Sequence, residues 1–131
     1  MGQQQLLLIV LGVIIVGIAV VVGINVFTAS SLQANNNAVI SDLQTIGSMA
    51  QQFYRKPTAM GGGGNTFTNW TVPASLDSTA NMGGAIVAVV AAQVVTLTGT
   101  GTDDNDGGDA LSVVVSVTPT AITVTSTNVN D

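Results

Sequence analysis

The chain is 131 residues long and carries a formal charge of −5, with seven aspartates against Arg55 and Lys56 alone. Nucleic-acid-binding proteins need a basic patch or stripe, so this composition excludes that class. Cysteine is absent from the sequence, which excludes a disulfide framework. Behind a long apolar segment at the front, the rest of the chain is sufficient for one small domain.

The first predicted element is an apolar helix. Residues 6–24 (LLLIVLGVIIVGIAVVVGI) are all apolar or glycine, and no charge precedes Asp42. As a helix this segment rises ~28 Å, close to the roughly 30 Å of a hydrocarbon core. Because it is apolar on every side, it has to lie in lipid or among helices of its own kind. It lacks the basic start and the short apolar core of a cleaved secretory signal, so we expect it to remain in the working protein.

The helix is predicted to continue with an apolar stripe on one side. Pro57 disfavours helix at the residue before it, so the helix should end between residues 54 and 56. The helical region is therefore 1–56, with an apolar membrane or filament-core segment at 6–26 and an amphipathic segment at 27–56. A kinked or melted turn between Gly17 and Gly23 stays open. The stripe has helical spacing, and its residues form the expected helix-to-sheet face: Leu32, Val39, Leu43, Ile46, Ala50 and Phe53.

A glycine-rich linker at 57–65 is predicted to separate the helix from a β-rich head at 66–131. The GGGG run in this linker is flexible by composition. Pro119 and Thr120 lie between two β-branched runs and predict a tight hairpin. We predict an α+β fold, in which the long helix packs on a small antiparallel sheet whose other face meets solvent. Stretches rich in Val, Thr or aromatic residues predict the strands at 66–72, 85–91, 94–100, 111–118 and 121–127.

This layout resembles the type IV pilin superfamily, whose members have an apolar N-terminal helix, an amphipathic continuation and a small β-rich head. The resemblance implies that the helix waits in the inner membrane and then enters the core of a filament with many copies of itself. The family's mature N-terminus is often Phe or Met, so the mature chain would begin at Met1, or at Gln3 after cleavage behind Gly2. Family members commonly carry glutamate at the fifth mature position, where this chain has Gln5, or Leu7 in the shorter form.

Glutamine cannot neutralise the N-terminal ammonium that the family's glutamate is thought to meet, and burying an unpaired charge is costly. We expect polar contacts there from Met1, Gln3, Gln4 and Gln5; the alternative is that the glutamines lie at the membrane headgroups. Small residues among bulky ones allow helices to approach closely. The expected filament-core residues are Leu6, Leu7, Leu8, Ile9, Val10, Leu11, Gly12, Val13, Ile14, Ile15, Gly17, Ile18, Val21 and Gly23.

One acidic cluster has the residue types of a cation site. Short Asp and Asn side chains around a glycine turn can converge on one calcium ion. The cluster lacks the closing glutamate of an EF-hand loop, and the alternative is a solvated turn between strands. We expect no other cofactor. The calcium candidates are Asp103, Asp104, Asn105, Asp106 and Asp109.

The segment after the linker offers a modification pattern. Asn69-Trp70-Thr71 matches the N-glycosylation acceptor pattern, although the many Ser and Thr residues could equally carry O-linked sugar. Phe53, Tyr54, Phe67 and Trp70 are expected to pack the linker against the sheet and the helix end.

The composition argues against an enzyme. Without His, Cys or Glu, no base is placed to activate a Ser or Thr nucleophile, and the glycine run lacks the lysine of a phosphate-binding loop. We expect no catalytic residue and no small-molecule substrate.

The leading hypothesis is a structural subunit of an extracellular type IV pilus-like filament on the cell surface, located in the inner membrane before assembly. One alternative is a single-pass membrane-anchored surface protein with a β-rich head. Another is a secretion-system pseudopilin, which the acidic cluster favours.

Overall fold

The computed structural model describes residues 2–104 and 108–128. Helix α1 spans Gly2–Arg55, and a short 3-10 helix follows at Thr58–Met60. The strands pair as a four-stranded antiparallel sheet in the order β1-β2-β3-β4. The predicted α+β architecture is confirmed, and the layout is compatible with a pilin-like fold. The strand bounds are β1 Val87–Val90, β2 Val95–Asp104, β3 Ala110–Val117 and β4 Ile122–Thr127.

The chain divides into two compact units, Met1–Ser31 and Leu32–Asp131. In the first unit every described residue is helical, including Gly17 and Gly23, where a melted turn was the open alternative. In the second unit α1 ends at Arg55, within the predicted range, because Pro57 cannot follow in a helix.

The core of the second unit lies between α1 and one face of the sheet. Strand β3 alternates, with Val113, Val115 and Val117 fully buried and the residues between them half-buried, as the pleat of a strand requires. On the neighbouring strand, Val95 and Leu97 point to the same core. The opposite face of β2 and β3 carries mostly Thr and Ser, which agrees with the predicted polar outer face.

Two glycines set the distance between helix and sheet. A Cβ at Gly47 on α1 would lie 2.9 Å from Val117 Cγ2, and one at Gly99 on β2 would lie 3.1 Å from Val39 Cγ1. Both spacings are tighter than an ordinary van der Waals contact. The close approach of helix and sheet therefore depends on having glycine, with no side chain, at positions 47 and 99.

The predicted strand at 66–72 is wrong. The Trp70 N–H donates to the Phe67 carbonyl at 2.9 Å, and Asn69 has a left-handed φ of 70°, so this stretch is a turn. Phe67 and Trp70 are still buried. Their aromatic side chains therefore contribute to the core, although the backbone here forms no strand. The hairpin at 119–120 is confirmed, since the Thr118 N–H donates to the Ala121 carbonyl at 2.8 Å.

The glycine-rich segment is not an open spacer. The N–H of Gly63 donates to the Phe53 carbonyl at 2.8 Å, and the Asn65 N–H donates to the Tyr54 carbonyl at 2.8 Å. These carbonyls belong to the last turn of α1, where carbonyl groups have no hydrogen-bond donor within the helix. A Cβ at Gly63 would overlap the Thr66 carbonyl, so glycine allows the chain to fold back here. The segment caps α1, which the expectation of a flexible linker did not include.

Candidate assembly surface and anchors of the head

The candidate assembly surface is the apolar segment, residues 6–26. Its large apolar side chains are between 53% and 69% exposed, although burying each of them would contribute about 1.5–3 kcal/mol. The segment contains all of the predicted filament-core residues, and every residue in it is exposed. The helix is long and apolar enough to cross a membrane. Within the first unit, no other described residue buries this surface.

The small residues of this surface face more than one direction. Gly12 and Gly23 are eleven residues apart, which is close to three whole turns, so they share one side of the helix; Gly17 is turned from Gly12 by ~140°. A Cβ at any of the three would have nothing within 4 Å. Among the described residues, no close contact therefore depends on the lack of a side chain at these glycines.

The predicted polar contacts at the front of the chain stay a prediction. Gln3, Gln4 and Gln5 are exposed on the first turns of α1, and Gln3 borders a shallow groove with Leu6 and Leu7. Met1 lies outside the described residues.

The predicted helix-to-sheet face lies where the head covers α1. Leu32, Val39, Leu43, Ile46 and Ala50 are buried. Phe53 is half-buried and packs against the same core. Sequence reasoning missed Asn36 and Gly47, which are also buried on α1. Leu32 and Val39 lie seven residues apart, which is about two helical turns. The buried face therefore includes a residue one turn after Leu32, and this spacing could have identified Asn36.

Two adjacent asparagines connect α1 to the sheet and to the loop before it. The Asn35 side-chain amide donates to the Asn81 carbonyl at 3.0 Å, and its oxygen accepts from the Thr102 N–H at 3.1 Å. A Cβ at Gly101 would overlap this oxygen, so Gly101 makes room for it. The Asn36 oxygen accepts from the Thr127 hydroxyl on β4 at 2.9 Å.

Further hydrogen bonds connect α1 to the loop before β1 and to the β3–β4 hairpin. One carboxylate oxygen of Asp42 accepts from the Thr79 hydroxyl at 2.7 Å and from the Asn81 amide at 3.1 Å. The Gln51 amide donates to the Thr118 carbonyl at 2.9 Å, next to the β3–β4 hairpin. Together with Asn35, Asp42 ties the loop before β1 to the helix.

The aromatic residues lie close to the end of α1. The Tyr54 and Phe67 rings are 4.9 Å apart, and the Tyr54 hydroxyl donates to the Gln93 side-chain oxygen at 2.9 Å. Phe67 and Trp70 are buried while Phe53 and Tyr54 are half-buried. This arrangement packs the segment after the helix against the core.

The acidic cluster is described only in part. Asn105 and Asp106 lie outside the described residues, Asp103 is half-buried and Asp109 is exposed. Asp104 pairs with Ala110 across the β2–β3 connection. Within the described residues, no group of three or more His, Cys, Asp or Glu residues could hold a metal ion. The calcium hypothesis stays a prediction.

Comparison with known protein families, with curated proteins and with solved structures finds no match to this chain.

Proposed function

We propose that this chain is a structural subunit of an extracellular type IV pilus-like filament. The apolar segments of many copies would form a dry core, and the heads would face the medium. The supporting observation is the exposure of residues 6–26 on all sides of α1, in a chain whose second unit has a complete core of its own.

The size of the exposed surface supports burial in an assembly. A soluble monomer rarely exposes a contiguous apolar patch of more than a few hundred Å², whereas this segment is apolar around its whole circumference for nineteen residues. Removal of such a surface from water requires lipid or several neighbouring helices. A single partner helix would leave the far side uncovered.

The distribution of small residues favours several neighbours over one. Helices in apolar surroundings associate through packing at small residues. Gly12 and Gly23 open one side of α1 and Gly17 opens another, and the chain itself fills neither. A subunit in a helical polymer meets different neighbours on its different sides, and this distribution is compatible with such packing.

A single-pass membrane anchor is the second candidate, because the helix has the length and composition of a membrane span. The two functions share their first step, since a pilin-like subunit also lies in the membrane before assembly. They differ in the final surroundings of residues 6–26.

The test is to shear the surface of cells that produce the chain and to examine the released material by electron microscopy and mass spectrometry. The proposal expects thin filaments in which this chain is the main protein. Recovery of the chain only as a monomer in detergent-solubilised membranes would favour the anchor. Loss of secretion without loss of surface fibres after gene deletion would favour a pseudopilin.

A further inference from the structure

A projecting turn presents Asn69 to solvent. The turn is closed by the Trp70 N–H bonding the Phe67 carbonyl at 2.9 Å, and Asn69 holds its third position with φ 70°. Phe67 and Trp70 are 0% and 6% exposed, so buried rings fix the turn at both sides. Thr68 and Asn69 at the tip are exposed.

Turn geometry explains Asn69 but not Thr71. A left-handed third position of a turn selects Gly or Asn, and this requirement ends at residue 69. Thr71 is also exposed, and the turn needs no hydroxyl there. The pair Asn69 and Thr71 has the spacing of the N-glycosylation acceptor pattern, which requires a hydroxyl two residues after the asparagine.

The surroundings of Asn69 leave room for a sugar. Asn69 borders an open depression that is also lined by Phe53, by the glycines at 61–63 and by Thr58, Thr66 and Thr68. None of the described residues that line it is charged. Hydroxyls, peptide groups and one aromatic ring are groups against which a sugar can pack and form hydrogen bonds.

We propose that Asn69 carries an N-linked glycan. The amide nitrogen of Asn69 forms a bond to the anomeric carbon of a sugar held on a lipid-linked phosphate donor. The bond from that carbon to the phosphate oxygen breaks, the lipid phosphate leaves, and the amide nitrogen loses one proton. This inference rests on the proposed function, because the head has to reach the side of the membrane where such donors are used.

The direct test is mass spectrometry of the full chain purified from the cells that produce it. Cleavage after Arg55 by trypsin and before Asp77 by an Asp-specific protease gives the fragment 56–76, which contains one acceptor pattern. We expect this fragment to be heavier than its amino-acid mass by at least one sugar residue, with fragmentation placing the sugar on Asn69. A fragment recovered only at its unmodified mass would overturn the inference.

Two matched glycine variants separate acceptor chemistry from turn geometry. Asn65 has φ 68° and lies in the same fragment outside the pattern, and glycine tolerates such a φ at either position. Asn69→Gly should lose the added mass, while Asn65→Gly should keep it. If Asn69→Gly keeps the mass, the sugar lies on a hydroxyl and the inference is wrong.

Replacement of Thr71 adds a second check that leaves Asn69 in place. Thr71→Ser should retain the glycan and Thr71→Val should abolish it; equal modification of both variants would contradict the inference. Filaments built from unmodified chain would overturn this inference alone. A glycosylated chain found only as a membrane monomer would instead overturn the proposed filament.

Discussion

The asparagines at 35–37 of α1 differ in what they contact. Asn35 and Asn36 bond to partners between 46 and 91 residues away in the sequence, whereas the Asn37 side chain is exposed and its oxygen accepts from the Gln33 amide on the same helix at 3.3 Å. Asparagine has low helix propensity, so local preference alone would make this run a weak point of the helix. Two of them compensate through contacts between elements, which no local pattern can reveal.

We expect Asn35→Ala to lower the free energy of unfolding of the full chain in detergent by about 1–3 kcal/mol, because the Asn81 carbonyl and the N–H groups of Thr102 and Asp103 lose their hydrogen bonds to Asn35. The control is Asn37→Ala, which brings the same gain in helix propensity without loss of a contact to the sheet. Denaturant unfolding followed by Trp70 fluorescence measures both. Equal stability of the two variants would show that the Asn35 bonds contribute nothing.

At the scale of elements, the apolar run and the helical spacing after it predicted α1, and Pro57 predicted where it ends. Stretches rich in Val and Thr predicted four of the five proposed strands. The strand at 66–72 was mispredicted because aromatic residues favour strands, while a left-handed Asn69 and a closed turn override that preference. The fold-back of residues 61–65 could not be predicted, because composition shows that glycines permit close approach but not what they approach.

The cap on the end of α1 can be tested at Gly63. Gly63→Ala should destabilise the second unit, since a Cβ there would overlap the Thr66 carbonyl and lie 2.9 Å from the Phe53 ring; we expect a loss of roughly 1–3 kcal/mol. Gly84→Ala is the control, because a Cβ at Gly84 meets nothing within 4 Å. Thermal unfolding of the two variants should differ, and identical midpoints would mean that the segment is not a packed cap.

The contact between helix and sheet can be tested at Gly47. Gly47→Leu would push into Val117 and Ile122, and overpacking of this kind costs about 1–3 kcal/mol. Near-ultraviolet circular dichroism and denaturant unfolding should both report a loosened core. A variant as stable as the parent would contradict the close approach of the two layers at this glycine.

At the scale of the whole molecule, the chain combines one unit that has a core of its own with one whose described residues are all exposed. The sequence alone predicted that surface, because the apolar run has no polar side that could face water. It could not choose between lipid and copies of the chain, since both surroundings are apolar. The proposed filament rests on the directions of Gly12, Gly17 and Gly23 around the helix, and a substitution at Gly17 tests it.

Gly17→Leu should reduce the yield of sheared filaments at least several-fold while leaving membrane insertion and unfolding of the second unit unchanged. A Cβ at Gly17 would meet nothing within 4 Å in the described part of the chain, whereas a leucine side chain would hold neighbouring helices apart. Ile18→Leu, which conserves volume at an adjacent exposed position, is the control and should assemble normally. An undiminished filament yield from Gly17→Leu would exclude tight packing at this position.

The most direct measurement is a cryo-electron-microscopy map, at side-chain resolution, of the material sheared from cells that produce this chain. The account predicts a helical polymer in which residues 6–26 of each copy contact residues 6–26 of several other copies. Gly12 and Gly17 would lie where neighbouring helices approach most closely, and the heads would lie outside the core. A polymer held together by its heads alone, with residues 6–26 outside the core, would contradict it.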